Sequence, residues 1–188
     1  GCAPQVPEET TVVETTQPLP PTMIEIDSSY TIIFSNGDAS YEAAYAFSKL
    51  YAKATGVTLK MKKDSMTEPS EKEIVVGKTN RDELYAIDHS ALVSDAFVIA
   101  LSGKRLFIAA AGTVGYDSAF AAFFKQTIGI EDIEMITNTD KKLELPEDFE
   151  LISEPSVKLE SDITASGISY RVEGAESGTH NYYKFYDK

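Results

Sequence analysis

The sequence predicts an α+β fold, in which a mixed β-sheet carries two long helices on one face and a β appendage follows at the C-terminus. Three observations predict it. Two stretches repeat apolar residues at helical spacing, and short runs of β-branched and aromatic residues surround them. Beyond residue 155 the sequence changes to alternating strands separated by loops rich in Ser and Gly. The 188 residues suffice for one core of ordinary size, or at most for two small domains.

The first half of the fold is predicted from one strand and one helix. Tyr30–Phe34 is a β-branched and aromatic run, closed by a turn cluster at 36–38. Asp38 or Ser40 is expected to cap the helix that follows, and Gly56 to end it. An apolar stripe at i, i+4, i+7 and i+11 predicts the helix, and its members are Ala43, Phe47, Leu50 and Ala54.

The remaining elements follow from shorter patterns. The expected strands are Val57–Met61, Glu73–Gly77, Ile133–Thr137, Phe149–Ser153 and a hairpin of Ala96–Leu101 with Leu106–Ala109. A short helix is expected from Asn80 to Ile87, because Glu83 completes a pattern that resembles a capping box. A long one is expected over Val114–Thr127, ended by Gly129. Both hairpin strands are apolar at nearly every position, so we expect that part of the sheet to be covered on both faces.

The composition excludes several classes of partner. Hydrophobic residues make up 43% and charged residues 25% of the chain, as in soluble globular proteins. The formal net charge of −13 argues against nucleic acid, which requires a basic stripe, and against electrostatic attraction to an anionic membrane. No apolar run approaches the roughly 18 residues needed to cross a bilayer.

The N-terminal segment has the composition of a tether. Residues 1–22 contain five of the eight prolines and no Lys or Arg, which predicts an extended, disordered chain. Cys2 is the only cysteine, so the chain cannot form an internal disulfide. Gly-Cys before an acidic Thr/Pro stretch resembles the start of a mature bacterial lipoprotein. This resemblance implies a lipid on Cys2 that holds the chain on the extracellular face of the cell membrane; the alternative is a chance cysteine.

These patterns divide the chain into three parts. Residues 1–22 are the tether after the lipidated cysteine, and residues 23–154 are the α+β domain. Residues 155–188 are a β-rich appendage, or the beginning of a further domain.

Two glycine motifs invite a nucleotide-binding interpretation that their context contradicts. Gly77-Lys78-Thr79 would need a glycine at position 72, where Lys72 stands, to form a phosphate-binding loop. Gly112 and Gly115 lie between a strand and a helix, but the three-glycine dinucleotide pattern is incomplete. A close strand-to-helix turn explains them better, and no cofactor is expected.

No catalytic or metal-binding constellation emerges from the sequence. His89 and His180 have no cysteine or paired carboxylate at a useful spacing, which argues against a metal site or a catalytic triad. Asp88 and Asp95 are the least implausible acid/base pair, and capping or loop solvation explains both. The sequence therefore predicts a protein that is not an enzyme.

The middle of the chain resembles a known accessory domain. The order of the strand at 30–33, the helix ending in Thr55-Gly56-Val57, the segments 73–81 and 95–99, and the run 106–112 leading into Phe120–Phe124 is similar to the second domain of β-hexosaminidases. α-Glucuronidases and many bacterial surface proteins carry the same domain. The resemblance covers about residues 28–130, and its most specific motif is the turn with Gly77, Asn80 and Arg81.

The resemblance implies a non-catalytic domain. In those enzymes the acid/base carboxylates lie in a following (β/α)₈ barrel, which needs about 250 residues and cannot fit here. The sequence also departs from the family, since Val114-Gly115 replaces a common Arg-Gly and Ala96 replaces a usual glycine. These departures put an interdomain role of that arginine in doubt.

Two functions remain open from the sequence. The first is a non-catalytic accessory module of a surface-anchored, carbohydrate-active or carbohydrate-associated lipoprotein. The second is a stand-alone binding or adhesion protein on the same fold. The partner is a polysaccharide or a downstream catalytic domain, and whether the gene continues beyond Lys188 distinguishes the two functions.

Aromatic residues near the C-terminus are candidates for stacking against sugar rings. Exposed tyrosines offer a flat apolar area with a hydroxyl at the rim. The alternative is that some pack beneath the hairpin while others only favour the strand. The candidates are Tyr170, Tyr182, Tyr183, Phe185 and Tyr186.

Overall fold

The computed structural model describes residues 1–8, 10–14, 16–37, 39–137, 140–164, 167–174 and 181–185, with side chains described as far as residue 156. Its strands are β1 (Met23–Ile26), β2 (Thr31–Phe34), β3 (Lys60–Lys63), β4 (Glu73–Val76), β5 (Phe97–Ser102), β6 (Arg105–Ala110), β7 (Leu143–Pro146), β8 (Glu150–Ser153), β9 (Val157–Thr164), β10 (Gly167–Gly174) and β11 (Asn181–Phe185). The long helices are α1 (Ser40–Thr55) and α2 (Thr113–Ile128). The predicted α+β class is confirmed.

Six strands form one mixed sheet in the order β3-β2-β4-β6-β5-β8. β2 pairs in parallel with β3 and β4, and β4 pairs in parallel with β6. β5 is antiparallel to both β6 and β8. Parallel neighbours need a crossover, and α1 supplies the one between β2 and β3.

Both helices pack on the same face of this sheet, as predicted. Phe47 of α1 lies at the centre of the shared core, and its ring centroid is 5.5 Å from that of Phe120, 5.6 Å from that of Phe123 and 5.8 Å from that of Phe124. Isoleucines of the central strands, such as Ile32, complete this core from below. The apolar stripe of α1 therefore faces the sheet, and the opposite side of the helix faces solvent.

A connecting segment covers the other face of the sheet. Ile33, Val75 and Phe107 form a second buried cluster on which Tyr85 and Ile87 pack. The rings of Tyr85 and Phe107 are stacked with their centroids 5.1 Å apart. This explains why the central strands are apolar at nearly every position, and the expected coverage of both faces is confirmed.

The start of α1 differs from the prediction. Ser40 is the first helical residue rather than a cap, and its hydroxyl donates to the Val76 carbonyl oxygen at 2.7 Å. Ala39 precedes the helix in a left-handed conformation with φ +56° and provides no side-chain cap. Asp38, the other candidate cap, lies outside the described residues. Ser40 therefore ties the helix to the sheet, and Gly56 ends the helix as expected.

α2 begins in a close turn from β6. A Cβ on Gly115 would lie 2.8 Å from the Ala110 Cβ and 3.0 Å from the Ala96 carbonyl oxygen, so only glycine permits this approach. The close-turn interpretation of this glycine is confirmed. Gly129 ends the helix at φ +70°, also as predicted.

A two-stranded sheet of β1 and β7 was not predicted. Leu143 and Leu145 of β7 are buried and alternate with the charged residues Lys142 and Glu144. Tyr51 anchors the pair to α1, because its hydroxyl donates to the Ile26 carbonyl oxygen at 2.6 Å. Burial raises the pKa of Tyr51 to about 12, so this donor keeps its proton at neutral pH.

Three predicted elements were wrong in type or extent. The predicted strand Ile133–Thr137 is absent, and Ile133–Met135 forms a 3-10 turn instead. The Asp132 carboxylate caps this turn by accepting from the Glu134 amide. The helix from Asn80 ends at Glu83, and its cap is Thr79. The predicted strand at 57–61 is shifted to β3, because the parallel register with β2 begins only at Lys60.

The C-terminal residues form strands, as predicted. β9, β10 and β11 make an antiparallel sheet of their own in the order β11-β10-β9. Within the described part of the chain, no helix combines the length and the apolar character needed to span a membrane.

Candidate functional site

The turn that resembles the accessory domain follows β4 and is shaped by a glycine. Gly77 has φ +82°, and its amide donates to the Ile108 carbonyl oxygen at 2.8 Å. A Cβ there would lie 2.9 Å from the Tyr116 hydroxyl and 3.1 Å from the Ser40 side chain. Glycine is therefore required both by the backbone conformation and by the space.

Asn80 connects this turn to the loop after β3. Its backbone N–H donates to Asp64 Oδ2 at 2.9 Å, and its side-chain Nδ2 donates to the Asp64 carbonyl oxygen at 3.1 Å. Thr79 caps the turn by accepting from the Arg81 amide at 3.0 Å. The first two residues after Lys78 thus hold the turn and the 64–69 loop together.

Arg81 is the centre of this region and is only 1% exposed. Its Nε donates to Glu73, and its Nη1 donates to the Asp64 carbonyl oxygen and to Asn80 Oδ1 at 3.2 and 2.6 Å. Its Nη2 donates to the Thr67 carbonyl oxygen and to Glu73 Oε1, both at 2.9 Å. A guanidinium has five N–H groups, and here all five have partners inside the protein. No donor remains for a ligand.

Glu73 receives two arginines at once. Arg105 Nε donates to Glu73 Oε2 at 2.8 Å, the same oxygen that accepts from Arg81 Nε at 3.2 Å. Burial alone would raise the pKa of Glu73, but the hydrogen bonds from Arg81, Arg105 and the Ser70 amide outweigh it and hold the pKa below its ordinary value. Glu73 therefore stays ionised and clamps the 64–72 loop against the end of the sheet.

A polar cavity of about 470 Å³ lies beside this network. The 64–69 loop forms most of its wall, and Asn80, Arg81 and Glu83 form the rest. The inward-facing arginine is the strongest cation there, and it is already saturated. The cavity is therefore a hollow in a well-bonded surface, and the other charged side chains of its wall are carboxylates.

Asp88 and Asp95, the least implausible acid/base pair, each form hydrogen bonds in a different loop. Asp88 accepts from the Ser90 hydroxyl at 2.5 Å and from the Ser90 amide at 3.1 Å, and Asp95 accepts from the Ser156 amide at 2.9 Å. These hydrogen bonds lower the pKa of both carboxyl groups, which favours the ionised form rather than an acid. The capping and loop interpretation of both residues is supported.

The histidines do not make a metal site in the described residues. His89 Nε2 lies 3.1 Å from Asp82 Oδ2, a contact whose angles do not make a hydrogen bond, and His180 lies outside the described residues. No cluster of three His, Cys, Asp or Glu side chains with metal-binding geometry occurs in that part of the chain.

The remaining predicted site residues lie at the two ends of the chain. Cys2 is exposed with a free thiol, and its acylation stays a prediction. Tyr170 is opposite Tyr183 in the register of β10 and β11, and Arg171 is opposite Tyr182. Their side chains, that of Phe185 and the whole of Tyr186 lie outside the description, so sugar stacking by these aromatics also stays a prediction.

A second aromatic group occurs on the solvent side of α1. Tyr41 and Tyr45 are 50% and 46% exposed, and their rings are nearly parallel, 10° apart in orientation, with centroids separated by 6.3 Å. The edge of Phe34 supports Tyr41 at 5.2 Å, and Lys49 Nζ lies 4.6 Å from the centre of the Tyr45 ring. We call Phe34, Tyr41, Tyr45 and Lys49 the aromatic–lysine surface.

Sequence reasoning missed this surface because it followed only the apolar stripe of α1. The signal was present: Tyr41, Tyr45 and Lys49 repeat at i, i+4 and i+8, on the side of the helix away from Ala43 and Phe47. Tyrosine is large and apolar enough to be assigned to a core. Its recurrence opposite the buried stripe is the feature that indicates a surface role.

Among solved structures with this arrangement is N-acetyl-β-hexosaminidase from Streptomyces plicatus, with a TM-score of 0.50 and 9% sequence identity over 73% of this chain and 24% of that chain. Others are the GH20 β-N-acetylhexosaminidase from Streptomyces coelicolor A3(2), with a TM-score of 0.48 and 10% identity over 73% and 25%, and CpGH84D, with 0.41 and 18% over 72% and 21%. The feature shared with the Streptomyces plicatus enzyme is a fold. No protein-family model and no curated protein matches the sequence.

These structures are much longer than this chain, which spans about a quarter of each Streptomyces enzyme. The resemblance inferred from the order of strands and helices thus agrees with a fragment of a hexosaminidase at the level of the backbone. Its most specific motif, the turn at Gly77, Asn80 and Arg81, serves in this protein to hold the fold.

Proposed function

We propose that this protein is a non-catalytic, carbohydrate-associated module of a surface-anchored bacterial lipoprotein. The observation that carries the proposal is the fold, which is shared with a quarter-length fragment of a Streptomyces hexosaminidase. A domain that accompanies a sugar-cleaving enzyme acts where polysaccharide is present. Fold alone does not give function, so the proposal depends on the following measurements.

The carboxylates support a non-catalytic role. A general acid in sugar hydrolysis needs a raised pKa, and apolar surroundings provide it. The carboxyl groups with altered pKa values in the described part of the chain are Asp27, Glu73, Asp88 and Asp95, and all four are lowered by hydrogen bonds or nearby cations. The purified chain is expected to be inert toward aryl N-acetylglucosaminides. Turnover that survives repurification and disappears in Asp88→Asn or Asp95→Asn would contradict this.

Carbohydrate association is tested by binding. The full chain, labelled and applied to a broad glycan array, is expected to be retained by at least one polysaccharide. Heat-unfolded protein serves as the control for non-specific adhesion. If no glycan retains the folded chain above that control, the proposed association is wrong.

Anchoring is tested through Cys2. The exposed thiol precedes a Pro- and Thr-rich stretch that resembles a lipoprotein tether. Stable anchoring takes more than one acyl chain, which lipoprotein processing supplies. Native protein produced in a bacterial host with its leader is expected to enter the detergent phase, and Cys2→Ser is expected to remain in the aqueous phase. Equal partitioning of the two proteins would refute the anchor.

A stand-alone binding protein is the second candidate, and the aromatic–lysine surface favours it. Two exposed, parallel tyrosine rings form a ready contact area whether or not an enzyme follows in the same gene. Reading the gene beyond Lys188 distinguishes the candidates, because a following barrel indicates an accessory module and a stop codon indicates a binding protein.

A further inference from the structure

We propose that the aromatic–lysine surface of α1 binds an acidic polysaccharide, whose sugar rings stack on Tyr41 and Tyr45 and whose carboxylates or sulfates pair with the lysines around them. This inference rests on the proposed carbohydrate association and names its site and ligand class. Three features of the described side chains carry it: the geometry of the rings, the excess of lysines near them, and the lack of ion pairs between these lysines and carboxylates.

The rings are arranged for stacking. Tyr41 and Tyr45 are nearly parallel and half exposed, and Phe34 fixes the orientation of Tyr41 by an edge contact. An apolar sugar face gains by covering a flat ring, and the tyrosine hydroxyls remain at the rim for hydrogen bonds. Because α1 is rigid and both rings lie on it, little ordering is needed when the ligand binds.

The segment that carries these rings has more lysines than carboxylates, which is opposite to the balance of the whole protein. Residues 41–63, which include both rings, contain five lysines and one carboxylate, Glu42, although the chain carries a net charge of −13. The five residues are Lys49, Lys53, Lys60, Lys62 and Lys63. They lie on the outer half of α1 and on β3, the edge strand beside it.

One of these lysines on β3 lies on the same side of the sheet as the rings. Lys63 is opposite Phe34 in the parallel register, and side chains alternate along a strand. Met61, two residues earlier, packs against the helix-covered core together with Phe34. Lys63 therefore also faces the helix side, in register with Phe34, which supports Tyr41.

These ammonium groups are available. In the part of the chain whose side chains are described, no carboxylate forms an ion pair with any of the five lysines, and Lys49 is held only over the Tyr45 ring. Arg81 and Arg105 are bonded to Glu73 in the same part of the chain. A patch of unpaired cations in an acidic protein attracts a local anion and repels anionic polymers elsewhere, which fixes where such a ligand binds.

The test uses the full chain and polygalacturonate, a polymer of acidic sugars, with its methyl ester as the neutral control. Affinity is measured by titration calorimetry for wild type, Tyr41→Ala/Tyr45→Ala and Lys49→Gln. The tyrosine double variant is expected to bind about tenfold more weakly, the scale of one aromatic stacking interaction. Lys49→Gln is expected to lose about threefold, and wild type is expected to bind the methyl ester much more weakly.

Three controls identify the site. Lys125→Gln removes an exposed lysine of α2, which pairs with Glu131, and is expected to leave the affinity unchanged. Tyr41→Phe/Tyr45→Phe keeps the rings and should keep most of the binding. Glu42→Gln removes the acidic residue next to Tyr41 on α1 and is expected to tighten binding about twofold.

Each other outcome overturns the proposal in a distinguishable way. Polygalacturonate binding that survives both the tyrosine and the lysine variants places the ligand elsewhere. Binding of a neutral glycan, without binding of polygalacturonate, removes this proposal and leaves the proposed function intact; retention by no glycan removes both. Binding to phosphatidylglycerol vesicles that depends on these residues, without polygalacturonate binding, would instead make the surface a membrane contact.

Discussion

Two regions of this protein use cations in opposite ways. Arg81 is buried, and its five N–H groups are all bonded to Glu73, to Asn80 and to carbonyl oxygens of the 64–69 loop. Lys49 is on the surface of α1, and its ammonium group lies over the ring of Tyr45. The first region holds a loop against the sheet, whereas the second presents rings and charges to whatever approaches. In this protein the turn that resembles a known domain indicates the fold, whereas exposed rings and lysines outside ion pairs indicate the binding site.

The energetics of the two regions differ for the same reason. Both charged side chains of the Arg81–Glu73 pair are 1% exposed, so removing either one leaves the other as an uncompensated buried charge. Side chains on the surface of α1 lose little when they are truncated, since water replaces what they contacted. Substitutions should therefore affect stability in one region and binding in the other.

The largest expected effect is on Arg81. Arg81→Met leaves Glu73 without its main partner and frees the 64–69 loop, so we expect the free energy of unfolding to fall by about 3–5 kcal/mol. Urea denaturation followed by circular dichroism measures it. The double variant Arg81→Met/Glu73→Leu removes both charges and should recover part of the loss. Wild-type stability in the single variant would show that the network does not clamp the loop.

A smaller loss of unfolding free energy is expected when the pH is lowered. The pKa of Glu73 is lowered in the folded protein, so its contribution to stability is complete above its ordinary value of 4.5 and is lost as the pH falls through the folded pKa. The free energy of unfolding should therefore fall as the pH is lowered from 4.5 through the folded pKa of Glu73. The Arg81→Met/Glu73→Leu variant is the matched background, and its stability should vary less over this interval. Parallel curves for the two proteins would rule out Glu73 as a source.

The smallest expected effect is on the stability of the α1 surface. Tyr41→Ala/Tyr45→Ala truncates half-exposed rings, so we expect the free energy of unfolding to change by less than about 1 kcal/mol for the pair. The same urea titration measures it. A loss as large as that of Arg81→Met would make the two tyrosines part of the core and end the distinction between the two regions.

The sequence predicted the elements whose patterns are local. The stripe of Ala43, Phe47, Leu50 and Ala54 and the stop at Gly56 gave α1 nearly its observed bounds, and the close turn at Gly115 was interpreted correctly. β1 and β7 were missed because their partner strands are far apart in the sequence. Pairing at that distance leaves little local trace beyond the alternation of Leu143 and Leu145.

The candidate site was less accessible to sequence reasoning. Gly77, Asn80 and Arg81 were predicted to form a distinctive turn, but the saturation of Arg81 depends on carbonyl oxygens of residues 64 and 67, which no pattern reveals. The parallel orientation of Tyr41 and Tyr45 likewise depends on the position of Phe34 in the sheet. Spacing shows which residues share a helix face, and only the tertiary structure shows which of them remain free.

The most direct test measures affinity and stability on the same two variants, Arg81→Lys and Tyr41→Ala/Tyr45→Ala. For Arg81→Lys, which cannot reproduce five directed N–H contacts, we predict a loss of about 2 kcal/mol or more in unfolding free energy, with polygalacturonate affinity unchanged under folding conditions. For the tyrosine variant we predict the reverse, an affinity lower by about tenfold with stability nearly unchanged. Reduced affinity of a fully stable Arg81→Lys variant, or unchanged affinity of the tyrosine variant, would contradict the division between the two regions.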